Sequence, residues 1–171
     1  MRIGAEAPTL TLPDTEGGQH TFPDRDGRPT VVVFTCNHCP YALAWHDRLL
    51  RVARDYEDAR FLAVNSNDAE RYPADSYEAM RERVARDGGW PHPYLHDESQ
   101  EVAREYGART TPHVFVLDAE GRVRYQGAPD ADHRDEAQGA AWLREALDAV
   151  REGREPARPE TDPVGCSVKW R

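Results

Sequence analysis

The stretch that most constrains the fold is TVVVFT, Thr30 to Thr35. Its β-branched and aromatic residues run without polar alternation, the pattern of a strand buried on both faces. A cysteine turn, CNHCP, follows at once. From Tyr41 to Tyr56 the apolar residues Ala42, Trp45, Leu49, Val52, Ala53 and Tyr56 recur in steps of three and four, with arginine and aspartate opposite. That spacing predicts a helix with one buried face. Arg60 onward, RFLAVNSND, reads as a second buried strand, and ADSYEAMRERVARDGG as a helix closing at Gly88 and Gly89. The unit is β-α-β-α, and its crossover is expected to be right-handed.

The flanking segments complete one domain. LTLPDTEGGQHTFPDRDGRP, with its Gly and Pro punctuation, suggests an extended hairpin before the first buried strand. WPHPYLHD holds a short strand, and ESQEVAREYG a short helix stopped by Gly107. Strands from Val114 and Val123 enclose a turn at Asp118 to Gly121, and a last helix runs from about Arg134 to Arg151 before Gly153. At 171 residues the chain has the length of a single domain. We place the domain at residues 1–153. Residues 154–171 form a Pro-rich spacer and a C-terminal tail, VGCSVKWR, expected to dock through Val164, Val168 and Trp170.

Composition excludes some partners. The formal net charge is -9 and Lys169 is the only lysine, so a nucleic-acid backbone is repelled. No segment approaches the roughly 20 apolar residues that span a bilayer, and no signal-peptide core is visible. The expectation is a cytoplasmic protein with no nucleic-acid and no membrane partner. Three cysteines, Cys36, Cys39 and Cys166, point to reactive or metal-binding thiols rather than to a disulfide framework.

Cysteines at i and i+3 across a strand-to-helix turn can close a small disulfide ring. Placed at the helix N-terminus, Cys36 would have its thiolate stabilised by unpaired N–H groups and the helix dipole, which lower a thiol from about 8.5 to roughly 3.5–7.5. Cys36 is therefore the expected nucleophile. Cys39, inside the first turn next to Pro40, would resolve the mixed disulfide. His38 could donate to Cys36 and raise the potential. Zinc is the competing use of the pair, but only Cys166 and scattered histidines could complete a site. Far along the chain, RTTPHVFVL sets Thr111-Pro112 before a buried strand, the mark of a tight, cis-type turn that leaves the Thr111 backbone free for an extended substrate chain.

With these pieces the chain resembles the thioredoxin superfamily over about Arg2 to Gly153: CNHC after a buried strand, the TTP turn, the hairpin VFVLDAEGRVRYQG and a closing helix. IGAEAPTLTLPDTEG and the insertion from Asn65 to Gly107 are closer to its redoxin branch of AhpC/TSA-like, peroxiredoxin-like proteins. GCSVKW resembles the tail of bacterial thioredoxin-family proteins that carry CNHCP. The resemblance implies an α/β thioredoxin-like fold, with a central mixed sheet, helices on both faces, an N-terminal hairpin and an extended C-terminal tail. It implies thiol–disulfide exchange with Cys36 as nucleophile, Cys39 as resolver and Pro112 as the cis-proline, and no cofactor or metal. Its partners would be a protein or small-molecule disulfide and a thioredoxin or glutathione reducing system. Two departures stand out: Thr35 replaces the tryptophan before the first cysteine, and Thr30 replaces the buried acid of the preceding strand. The alternatives are a peroxiredoxin-like thiol peroxidase with an antioxidant role, and a metal-binding or carrier module using Cys36, Cys39 and His113. Cys166 enters as an accessory thiol able to attack, shield or ignore the pair. His46 is expected in solvent, Asn65 and Asn67 as loop caps, and His20, His92, His96 and His133 without a role.

Overall fold

The computed structural model describes residues 1–25 and 27–171; Asp26, at the end of the hairpin stretch, lies outside the described residues. Two short strands, β1 (Leu10–Pro13) and β2 (Gln19–Phe22), pair antiparallel as the hairpin. The central sheet is built from β3 (Thr30–Phe34), β4 (Arg60–Asn65), β5 (Tyr94–His96), β7 (His113–Leu117) and β8 (Val123–Gly127), in the order β5-β4-β3-β7-β8. β3, β4 and β5 are parallel, while β7 and β8 run antiparallel. The sheet is thus mixed, as expected.

Why β3 lacks alternation is visible in its packing. Val31 and Val33 face the helices α1 (Pro40–Asp55) and α4 (Ala141–Arg151), meeting Trp45, Leu49, Val52, Leu143 and Leu147. Val32 and Phe34 face the hairpin and the short helix α3 (Glu101–Tyr106), meeting Leu12, Phe22, Val102 and Tyr106. Each such buried side chain contributes about 1.5–3 kcal/mol relative to exposure. Helix α2 (Tyr77–Arg86), capped by Ser76 accepting from the Ala79 N–H, covers the β5 edge through Met80.

Two sequence readings need correction. The last helix begins at Ala141 rather than near Arg134, because Gly139 and Ala140 both take left-handed backbone after a single 3-10 turn at Glu136–Gln138. And Arg48, read as part of a polar helix face, is buried: it pairs with the equally buried Asp130 at 2.9 Å.

The tail does dock. Its Glu160 bridges Gln126 of β8, and Thr161 lies so close to Gly127 that any Cβ there would collide with it. Further on, β9 (Cys166–Ser167) pairs antiparallel with the two-residue strand β6 (Thr110–Thr111). Val168 is buried and Trp170 lies under the Arg104 guanidinium, but Val164 is exposed and takes no part.

Candidate redox site

The site forms where β3 ends and α1 begins. Pro40 occupies the first helical position, where its missing N–H has no partner to lose. The helix cap is therefore Cys39, not Cys36. Cys36 lies three residues upstream in a loop pinned from outside: Arg83 donates to the Cys36 carbonyl at 3.1 Å and to Asn37 Oδ1 at 3.0 Å, and the Tyr94 hydroxyl donates to the same Asn37 oxygen at 2.8 Å. Opposite the sulfurs stands the Thr111-Pro112 peptide, which is cis as the sequence suggests.

Cys36 and Cys39 are both fully buried and both reduced. Cys36 Sγ lies 3.4 Å from the Thr111 hydroxyl, and the Cys39 thiol donates to the Thr111 carbonyl at 3.1 Å. The two sulfurs hydrogen-bond each other. The hydrogen bond from Cys36, with smaller contributions from Cys166, the Ala42 N–H and Thr111, lowers Cys39 to about 4 against its burial. Cys36 is raised by that same hydrogen bond, by burial and by the Asp75 carboxylate. Geometry favours a thiolate on Cys39, the sulfur at the N-cap and so at the positive end of the helix dipole. The argument that made Cys36 the nucleophile rests on the helix start, and the helix starts one cysteine later.

Asp75 is the residue that sequence reasoning missed. It is fully buried, beside Cys36, and accepts from the Asn37 N–H (2.6 Å), Asn65 Nδ2 (3.1 Å) and Asn67 Nδ2 (3.0 Å). His38 Nδ1 lies 2.5 Å from Asp75 Oδ2, the oxygen that also accepts from Asn67, and the His38 ring stacks on Tyr72 with one third of the side chain in solvent. So the His38 ring engages Asp75, while only the His38 backbone N–H serves Cys36. Asp75 is thus a buried acid beside Cys36, whereas the β3 position at which the resemblance expects one holds Thr30. In the sequence it reads only as an acid leading into α2.

Among the described residues, Cys36, His38 and Asp75 form the one group whose donor atoms come together as for a metal, within 4.8 Å. Both Asp75 oxygens already accept hydrogen bonds, from Asn37, Asn65 and Asn67. His113, the third ligand of the carrier alternative, is buried in β7, with Nδ1 accepting from the Arg109 N–H and its ring on Phe115. His46 packs against Trp90 and is held down to about 4 by burial, contrary to its expected solvation. His20 pairs with Asp14, His92 packs on Phe61, His96 on Tyr77 and His133 on Tyr41.

All six singled-out residues, Cys36, His38, Cys39, Thr111, Pro112 and Cys166, converge. One expectation changes: the Thr111 backbone is not free, because Cys166 is its partner in the β6–β9 pair. Cys166 also hydrogen-bonds Cys39 and is pushed up to about 11, chiefly by burial.

Comparison with known proteins agrees with this geometry. The chain is 26% identical over 127 residues to the thiol-disulfide oxidoreductase ResA of Geobacillus thermodenitrificans, covering 72% of this chain and 68% of that one. It is 27% identical over 130 residues to the thiol:disulfide interchange protein DsbE of Allochromatium vinosum, covering 72% of this chain and 65% of that one. An uncharacterized conserved protein from Geobacillus kaustophilus superposes with a TM-score of 0.92 at 37% identity, over 99% of this chain and 93% of that one. A putative thioredoxin from Neisseria meningitidis, at 22% identity and TM-score 0.69 over 85% and 89% of the two chains, shares the thioredoxin-like fold. A family model described as the AhpC/TSA family matches residues 3–126, the span that builds the sheet and carries both site cysteines, and the chain belongs to that family.

Proposed function

We propose that the chain is a thiol–disulfide oxidoreductase in which Cys39 meets the substrate and Cys36 completes the exchange. The observation that carries this reading is the meeting of two buried, hydrogen-bonded sulfurs at the start of α1 against the residue before cis-Pro112. The relatives named as thiol-disulfide oxidoreductase and thiol:disulfide interchange protein support the same class of chemistry.

In the reductive direction the Cys39 thiolate attacks one sulfur of a disulfide R–S–S–R′ and expels R′S⁻, which takes a proton from solvent. Cys36 then attacks Cys39 Sγ, expels RS⁻ and closes the Cys36–Cys39 disulfide. Cys36 must lose its proton for this step, and the His38–Asp75 pair lies beside it with one edge in water. The low-lying Cys39 thiolate stabilises the reduced form, so the potential is expected above the roughly −270 mV of thioredoxin. Equilibration with glutathione buffers measures it.

Trapping tests the roles. With a peptide disulfide, Cys36→Ser should hold a long-lived mixed disulfide on Cys39, and Cys39→Ser should react at least a hundredfold more slowly. If Cys39→Ser is the variant that traps, the roles revert to those expected from the sequence; if neither traps, exchange is not the function. A thiol-peroxidase reading draws on the same Cys39 thiolate and on the family match to residues 3–126. Thiol loss with hydrogen peroxide faster than that of a free thiolate would select it.

A further inference from the structure

The substrate edge of this site is already filled. Ser167 and Cys166 pair with Thr110 and Thr111, and beyond them the tail is held mainly through its main chain. Val168 N–H donates to Arg109 O at 3.1 Å, and Lys169 N–H to Asn67 Oδ1 at 2.9 Å. Lys169 O accepts from Asp68 N–H at 2.8 Å and from Gln100 Nε2 at 2.9 Å. Gln100 is buried and non-glycine at φ +67, a conformation that costs on the order of 1 kcal/mol unless its surroundings hold it. Main-chain addition of this kind accepts many sequences and takes its specificity from a few pockets. Two are visible. Gly165 has no room for a Cβ against the Thr111 carbonyl, and Val168 enters the core. Between them Cys166 sets its sulfur against Cys39.

Building on the exchange reading above, we propose that this seat binds an extended polypeptide substrate presenting Gly-Cys with an apolar residue two places on, and that Gly165–Val168 is its resident occupant. In the oxidised protein Cys166, as thiolate, attacks Cys39 Sγ. The Cys36–Cys39 bond breaks, the Cys39–Cys166 bond forms, and Cys36 leaves as a thiolate that takes up the proton Cys166 gave up. The protein still holds one disulfide and one thiol, so no outside oxidant or reductant enters. A substrate from solution must first displace the tail, since neither Cys36 nor Cys39 is exposed while it is seated.

The test uses the full chain. Wild type oxidised with one equivalent of diamide, acid-quenched and mapped by mass spectrometry, should show both Cys36–Cys39 and Cys39–Cys166; Cys36–Cys39 alone would overturn the exchange of Cys166. Gly165→Val should lose the Cys39–Cys166 species at least tenfold and, when reduced, alkylate at Cys39 at least tenfold faster with iodoacetamide. Val164→Ala, which changes an exposed side chain outside the seat, should alkylate as slowly as wild type. An unchanged rate in Gly165→Val means the tail is not the cover. The glutathione mixed disulfide of the peptide Val-Gly-Cys-Ser-Val-Lys-Trp should react with Gly165→Val at least tenfold faster than the same peptide with Val in place of Gly, and equal rates would remove the substrate class. If Gly165→Val reduces glutathione disulfide only at the wild-type rate, the seat falls and exchange stands. If neither protein exchanges at all, the functional reading fails.

Discussion

Two carboxylates, Asp75 and Asp130, are buried near α1, and their neighbours differ in kind. Asp130 is paired with Arg48, which cannot lose its proton, and also accepts from Trp45 Nε1 and the backbone N–H groups of Asp132 and Ala140. Arg48 in turn donates to the carbonyls of Asp132 and His133. That network is fixed in charge, with only Arg48 Nε left without a hydrogen-bond partner, and it ties α1 to the loop before α4. Asp75 has three neutral donors, one histidine partly in water and a thiol beside it. A thiol and an imidazole that reaches water lie beside it, so the exchange proposed above would change its charge balance. Burial alone therefore says little; what marks a functional carboxylate is whether its neighbours can exchange protons.

The contrast predicts opposite phenotypes. Asp130→Ala leaves Arg48 buried and unpaired, and urea denaturation should show a loss of about 3–5 kcal/mol, while the protein that remains folded keeps its exchange rate. Loss of exchange without loss of stability would reverse the assignment. Asp75→Asn should cost only about 1–2 kcal/mol of stability but slow closure of the Cys36–Cys39 disulfide by about a hundredfold at neutral pH, within the range of general-base catalysis. Stopped-flow release of a labelled thiol measures it, and a rate that recovers as pH rises would identify the missing base. His38→Ala, which leaves Asp75 in place, should slow the same step by about tenfold and flatten its pH dependence; an unaltered profile would confine His38 to the surface.

The smallest effect concerns neither carboxylate. His46, His92 and His113 are each held down to about 4 by burial, against about 6.5 in an unfolded chain. Between those values the unfolded chain binds protons that the folded one does not, so stability falls as pH drops from about 6.5 toward 4. Denaturation of the disulfide form, in which no Cys39 thiolate contributes, should show a loss on the order of 1 kcal/mol per histidine between pH 7 and 5.5. A flat profile would mean these rings take up protons in place.

Much of this was legible in the chain. TVVVFT, the stripe from Ala42 to Tyr56 and the TTP turn fix the sheet, the first helix and the cis peptide, because each is a local pattern with one physical solution. Which cysteine stands at the helix N-terminus was less legible, since that depends on which residue caps the helix. The signal was present in Pro40, whose ring suits the first helical position and so makes Cys39 the cap. Arg83 and Gln100 carried no signal, because their partners lie 46 and 47 positions away for Arg83 and 34 to 71 for Gln100; Asp75 has Asn65 and Asn67 only 10 and 8 positions before it, and what the sequence hid was its meeting with Asn37, 38 positions away. Arg48 was misread because helical spacing shows which face is apolar but not whether a second element covers the polar one.

The absence of a side chain at Gly165 has an evolutionary consequence. Any single base change in that codon that alters the amino acid adds at least a Cβ, and that atom has nowhere to go beside the Thr111 carbonyl. A covered dithiol and an open one are then one mutation apart, and the restraint on this site can be lost or regained without touching a sulfur.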